Sequence, residues 1–201
     1  MKEITFREYR NIDITVWVVI TLLFEVITTF ATVKWFYAQP IALSVTLAVV
    51  CAVMVRWNGY AAIMAVVGGF ATCIVSGASA EQYVIYCVGN VFALCGLLVI
   101  KWWGKEKIAE SFMKKMVFAV VSYVGLVIGR WLVSLLFGGD LTALLVYATT
   151  DVMSLLFAVV VLFVLSKCDG MLEDQKAYLF RLERERRESE GCPDSDEGVI
   201  L

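Results

Sequence analysis

The chain has 201 residues, 61% of them hydrophobic, with a mean hydropathy of +0.81 and a net charge of −2. That composition excludes a soluble domain built on one core; the net charge hides an uneven distribution and says nothing about nucleic acid, which is not expected as a partner. With no histidine, neither an H-E-x-x-H zinc peptidase nor a serine hydrolase with a histidine base is available, and no G-x-x-x-x-G-K-[ST] phosphate loop is present.

In chain order, residues 1–13 are too polar for a cleavable signal. They are expected as a cytoplasmic N-terminal segment lying along the membrane, with Asn11 or Asp13 capping the helix that follows. Six apolar stretches come next, at 14–36, 41–55, 60–76, 83–100, 116–137 and 142–165. Most have the length a helix needs to cross roughly 30 Å of hydrocarbon; the second is short and needs its ends buried by neighbours or set among headgroups. The connections at Tyr37–Pro40, Arg56–Gly59, Gly77–Gln82 and Gly138–Leu141 are short, which makes consecutive helices antiparallel neighbours. The fourth connection, 101–115, is longer and basic, and Trp102 and Trp103 are expected there as interfacial anchors. After Asp169-Gly170, Leu172, Leu179 and Leu182 fall on one face, which predicts an amphipathic cytoplasmic helix over 171–189. The final residues, 191–201, rich in Pro, Ser and acids, are expected to be disordered.

Every Lys and Arg except Lys34 and Arg130 falls in the N-terminal segment, the second and fourth connections, or the tail. Basic residues are retained on the cytoplasmic side during insertion. The expectation is therefore an all-α, six-span membrane protein with both termini cytoplasmic: a bundle over 14–166, a cytoplasmic helix within 167–190 and a tail. Its neighbours include anionic lipid.

Of the six cysteines, Cys51, Cys73, Cys87 and Cys95 lie within spans, and Cys168 and Cys192 lie outside them. None forms a C-x-x-C pair, so no metal site, cofactor or redox motif is read from them, and they are taken as small apolar fillers. No catalytic constellation is found, and the chain is expected not to be an enzyme.

Ionisable residues inside spans are costly and face protein or water. Glu25, Arg130 and Asp151 are such residues, and Asn90 joins them. At about 1.5 Å per residue, all four lie roughly 10–15 Å below the outer surface. Each belongs to a stripe at helical spacing: Thr21, Glu25, Thr28 and Thr32; Tyr83, Tyr86 and Asn90; Tyr123, Arg130 and Ser134; Tyr147, Thr150, Asp151 and Ser154. Four converging stripes predict an outward-opening pocket for a small, partly aromatic, polar ligand. Glu25, Asn90, Arg130 and Asp151 would supply polar contacts and Tyr83, Tyr86, Tyr123 and Tyr147 ring contacts. Two acids against one base lean toward a cationic or zwitterionic heterocycle. The competing reading is an Arg130–Asp151 pair that only fixes the fold. On the third span, Ala61, Ala65 and Gly69 form a ladder of small residues, read either as packing within the bundle or as a docking face for another subunit.

The run Arg56-Trp57-Asn58-Gly59-Tyr60-Ala61-Ala62, then Gly68-Gly69, Tyr86 and Gly89-Asn90, resembles the middle of S components of energy-coupling factor (ECF) transporters. Gly129-Arg130, Asp151 and Asp169-Gly170-Met171-Leu172-Glu173-Asp174-Gln175 extend the resemblance over residues 14–182. It implies a bacterial vitamin or micronutrient importer subunit that captures its substrate outside. Such a subunit docks on a membrane coupling subunit driven by two ATPase subunits. The first span departs from the family's A-x-x-x-A docking motif, having only Ala31. Two other readings stand beside this one: a stand-alone proton-coupled carrier using Glu25 or Asp151, and a membrane scaffold.

Overall fold

The computed structural model describes residues 5–35 and 42–189; the Tyr37–Pro40 connection, Cys192 and the 191–201 tail lie outside them. Among the described residues the regular structure is helical, with no strand: α1 Phe6–Trp35, α2 Thr46–Trp57, α3 Ala61–Ser76, α4 Ala80–Val91, α5 Gly96–Trp103, α6 Lys105–Glu110, α7 Phe112–Leu135, α8 Leu141–Thr150, α9 Val152–Leu165 and α10 Gln175–Ser189. Four helical stretches are long and apolar enough to cross a membrane, and a fifth is added if the bent pair α8–α9 counts as one. The chain is an all-α membrane protein.

One of those four stretches, Thr46–Ser76, doubles back on itself. Asn58 sits at φ 53° and opens a single 3₁₀ turn, Asn58–Tyr60, between α2 and α3. Thr46 and Thr72, at opposite ends of the stretch, both donate hydroxyl hydrogen bonds to Glu25. A side chain at Gly68 would run into Thr46. The two helices are therefore an antiparallel hairpin.

Helix α2 is the centre of the molecule. All twelve of its residues are buried, and at about 1.5 Å per residue it is only about 18 Å long. It packs against α1, α3, α5, α7 and α9, so both its ends lie inside protein. The short second apolar stretch is explained by this interior position. In contrast, α1 buries only the line Ile14, Trp17, Thr21, Glu25 and Thr29, while Val19, Leu23, Ile27 and Phe30 face outward.

Local chemistry sets the ends. Gly77 at φ 67° closes α3, and Ala78 N–H reaches back to the Cys73 carbonyl at 3.0 Å, a conformation that glycine adopts without a Cβ clash. Ser79 and Gln82 form a reciprocal capping box on α4. Asp140 caps α8 by accepting from Thr142 and Ala143 N–H; the Thr142 hydroxyl bond, the largest influence, holds its carboxyl below the usual range.

Several expectations are corrected here. The first helix starts at Phe6, so residues 6–13 are its first two turns, and neither Asn11 nor Asp13 is a cap. Asp13 instead accepts from Arg56 Nη2 at 2.7 Å and from Trp57 Nε1 at 2.5 Å. The fourth stretch changes to a 3₁₀ turn at Phe92–Cys95, and the basic connection after it contains α6. The sixth bends by 44° at Asp151. The terminal helix begins at Gln175 rather than 171; Leu172 is buried in the turn before it, while Leu182 is exposed.

Two ends of the bundle emerge. At one, Arg56 Nη1 donates to the Gly170 and Met171 carbonyls at 2.8 and 2.9 Å, Tyr9 donates to Gln175 and Lys105 pairs with Asp174. The residues 6–13, the α2–α3 turn, the α5–α7 connection and the start of α10 thus meet. The 167–174 segment is tied to the bundle, not separate from it. The other end holds the cavity described next.

Candidate functional site

The site begins with glycines. A Cβ on Gly89 would lie 2.7 Å from Arg130 Cα, and one on Gly129 would lie 2.5 Å from the Gly89 carbonyl. Only glycine at both positions lets α4 and α7 touch backbone to backbone, and this contact brings Arg130 beside Asn90 and Tyr86. Arg130 Nε donates to Asn90 Oδ1 at 2.7 Å, and Nη1 pairs with Asp151 Oδ2. The guanidinium lies 4.3 Å from the centroid of the Tyr86 ring, a favourable cation–π position. Tyr147 meets Tyr86 edge-on at 6.4 Å. Arg130, Asn90 and Asp151 are all buried, so every charge removed from water has a partner, as burial requires.

The bend at Asp151 follows from the same contact. Breaking a helix frees backbone groups that must be satisfied again inside a membrane. The residues before α2 do this: Ala42 N–H donates to the Thr150 carbonyl at 2.9 Å, and Ser44 N–H donates to Ser154 Oγ at 2.8 Å. Asp151 is thereby free to turn toward α7.

Glu25 has a different task. Its Oε2 accepts from Val45 N–H at 2.9 Å, Thr46 N–H at 3.0 Å and the Thr46 hydroxyl at 2.9 Å. Its Oε1 accepts from the Thr72 hydroxyl at 2.8 Å. A carboxylate from α1 therefore caps the N-terminus of α2, where unsatisfied N–H groups and the helix dipole favour negative charge. Its side chain is 0% exposed.

These parts surround a cavity of about 310 Å³. Its wall includes Glu25, Thr29 and Thr32 of α1, Ala42–Ser44, Thr72, Cys73 and Ser76 of α3, Gln82 and Tyr86 of α4, Arg130 of α7 and Asp151. Of the eight residues read from the sequence as ligand contacts, Glu25, Tyr86, Arg130 and Asp151 line it. Asn90 and Tyr147 sit behind that wall, holding Arg130 and Tyr86. Tyr123 donates to the Ala148 carbonyl and Tyr83 packs on Phe70, so both stand apart from the cavity.

The ladder Ala61, Ala65 and Gly69 faces inward, not toward an external partner. Ala61 and Ala65 are fully buried, the Ala65 carbonyl accepts from Asn90 Nδ2 at 3.3 Å, and a Cβ on Gly69 would lie 2.7 Å from the Tyr86 carbonyl. Its small residues bring α3 and α4 together. Sequence reading missed Thr72 and Ser76. Their spacing of four from Gly68 continues a small and polar face along α3 and was the available signal. Among the described residues, no cluster of three or more Cys, Asp or Glu is placed to hold a metal ion.

Comparison of the chain with protein-family models, curated proteins and solved structures finds no match.

Proposed function

We propose that this protein is the substrate-capture subunit of an ECF-type importer in a bacterial cell membrane. It would take a small polar, partly aromatic micronutrient from the outside and hand it inward with a membrane coupling subunit and two ATPase subunits. In this reading the chain makes six passes: α1, α2, α3, α4–α5, α7 and α8–α9. The end carrying Arg56, Lys105 and α10 faces the cytoplasm, in keeping with the concentration of Lys and Arg there.

The observation that carries the proposal is the cavity at the opposite end, with a partnered arginine and an aromatic ring in its wall. A polar void between helices, with few convergent polar groups, is the form small-molecule sites take. A proton-coupled carrier would need a carboxylate free to titrate from the cavity. Glu25 is spent on the start of α2 and Asp151 is paired with Arg130, which favours capture. Native mass spectrometry of gently purified protein tests the proposal: a retained small molecule is expected, together with copurifying ATPases. Protein that carries no small molecule and purifies alone would remove its basis.

A further inference from the structure

Two atoms of the ion pair in the cavity wall make no hydrogen bond to the described residues. Arg130 uses Nε on Asn90 and Nη1 on Asp151, and Nη2 makes no hydrogen bond to the described residues. Asp151 uses Oδ2 on Arg130, and Oδ1 makes none. Both side chains are more than nine-tenths buried. Yet the buried side-chain atoms lacking any partner are only Arg10 Nε and Ser122 Oγ among the described residues. Neither Nη2 nor Oδ1 is among them, and the space that both residues line is the cavity. The pair offers a donor and an acceptor with no net charge between them.

Ligand charge follows from that wall. An anion would meet Asp151 as well as Arg130, and a cation would meet Arg130 as well as Asp151. Either would bring a charge that the neutral pair does not compensate, which is costly beside buried groups. Glu25, with three donors on Oε2, one on Oε1 and zero exposure, is committed to the start of α2. Thr29, Thr32, Ser44, Thr72, Ser76 and Gln82 complete the wall with neutral hydrogen-bonding groups.

Resting on the capture reading above, we infer that the cavity takes a neutral planar compound with an amide or lactam edge. The carbonyl oxygen accepts from Arg130 Nη2 and the adjacent N–H donates to Asp151 Oδ1. Such an edge satisfies both free atoms at once, whereas a group lacking one half leaves a buried polar atom unpaired. This replaces the cationic preference drawn from counting two acids against one base.

Three probes of nearly one shape test it: benzamide, benzoate and benzamidinium, titrated into the full chain in lipid nanodiscs with binding read by thermal shift and by saturation-transfer NMR. Benzamide is expected to bind at least about tenfold more tightly than either ion, a difference of the size of one hydrogen bond to a charged group. Ala78, half-buried on the cavity wall, supplies a variant outside the buried core. Ala78→Trp is expected to weaken benzamide by about tenfold or more by filling the space. A tighter benzoate or benzamidinium would overturn the neutral class while leaving capture itself standing. Benzamide binding unchanged in Ala78→Trp would overturn the placement. No response to any probe would also overturn the class, and a molecule retained in native mass spectrometry would then show that capture survives.

Discussion

The carboxylate of Glu25 receives both the backbone N–H and the hydroxyl of Thr46, at 3.0 and 2.9 Å, across the interface of α1 and α2. An acid that looks like a ligand contact in the sequence thus holds the start of the central helix. Glu25→Leu leaves the Val45 and Thr46 N–H groups buried without acceptors, so a loss of about 1–3 kcal/mol for each unsatisfied group is expected. Glu25→Gln keeps one acceptor oxygen and should lose less. Thermal unfolding in detergent, with hydrogen exchange at Val45 and Thr46, checks the order; equal melting of Glu25→Leu and wild type would refute the capping role.

Arg130→Met and Asp151→Asn each strand the opposite charge in a buried site. Each single change is expected to destabilise by about 3–5 kcal/mol. The double change should recover most of that, because it removes both charges together. A double-mutant cycle on unfolding midpoints measures the coupling. Additive losses would mean the two residues do not support each other.

Gly69→Leu and Ala65→Leu press into α4, where the Tyr86 carbonyl and Asn90 leave no room. Overpacking should destabilise by about 1–3 kcal/mol or more and should disturb Asn90 and, through it, Arg130. Stability and ligand retention are expected to fall together. Leucine variants that melt like wild type would show that this face is open.

Asp13→Ala frees the Arg56 guanidinium and Trp57 Nε1. Arg56 would then hold the Gly170 and Met171 carbonyls less firmly, loosening the segment that leads into α10. Limited trypsin digestion should cut at Lys176 or Arg181 faster than in wild type, with the bundle intact. Unchanged cleavage kinetics would show that the Asp13 contact does not hold this segment.

A cysteine replacing the exposed Lys107 should resist a membrane-impermeant thiol reagent on intact cells and react after permeabilisation. Labelling from outside would invert the arrangement and put the cavity on the cytoplasmic face.

Much of this molecule is decided by local chemistry that the sequence displays. Apolar stretches of span length, helix stops such as Gly77 and Asp140, and the concentration of basic residues at alternate connections all act within a few residues. They sufficed to give an all-helical membrane protein and to single out Arg130, Asp151 and Tyr86. What tertiary structure alone decided is how each polar group is used, because a buried group must take whichever partner the fold brings near. Asp13, a plausible cap by position, lies inside a helix and meets Arg56, 43 residues away. Glu25 faces the N-terminus of α2, so its charge is consumed there. The ladder of Ala61, Ala65 and Gly69 was equally suited to an internal or an external neighbour, since small residues favour any close helix. Packing against α4 chose the internal one.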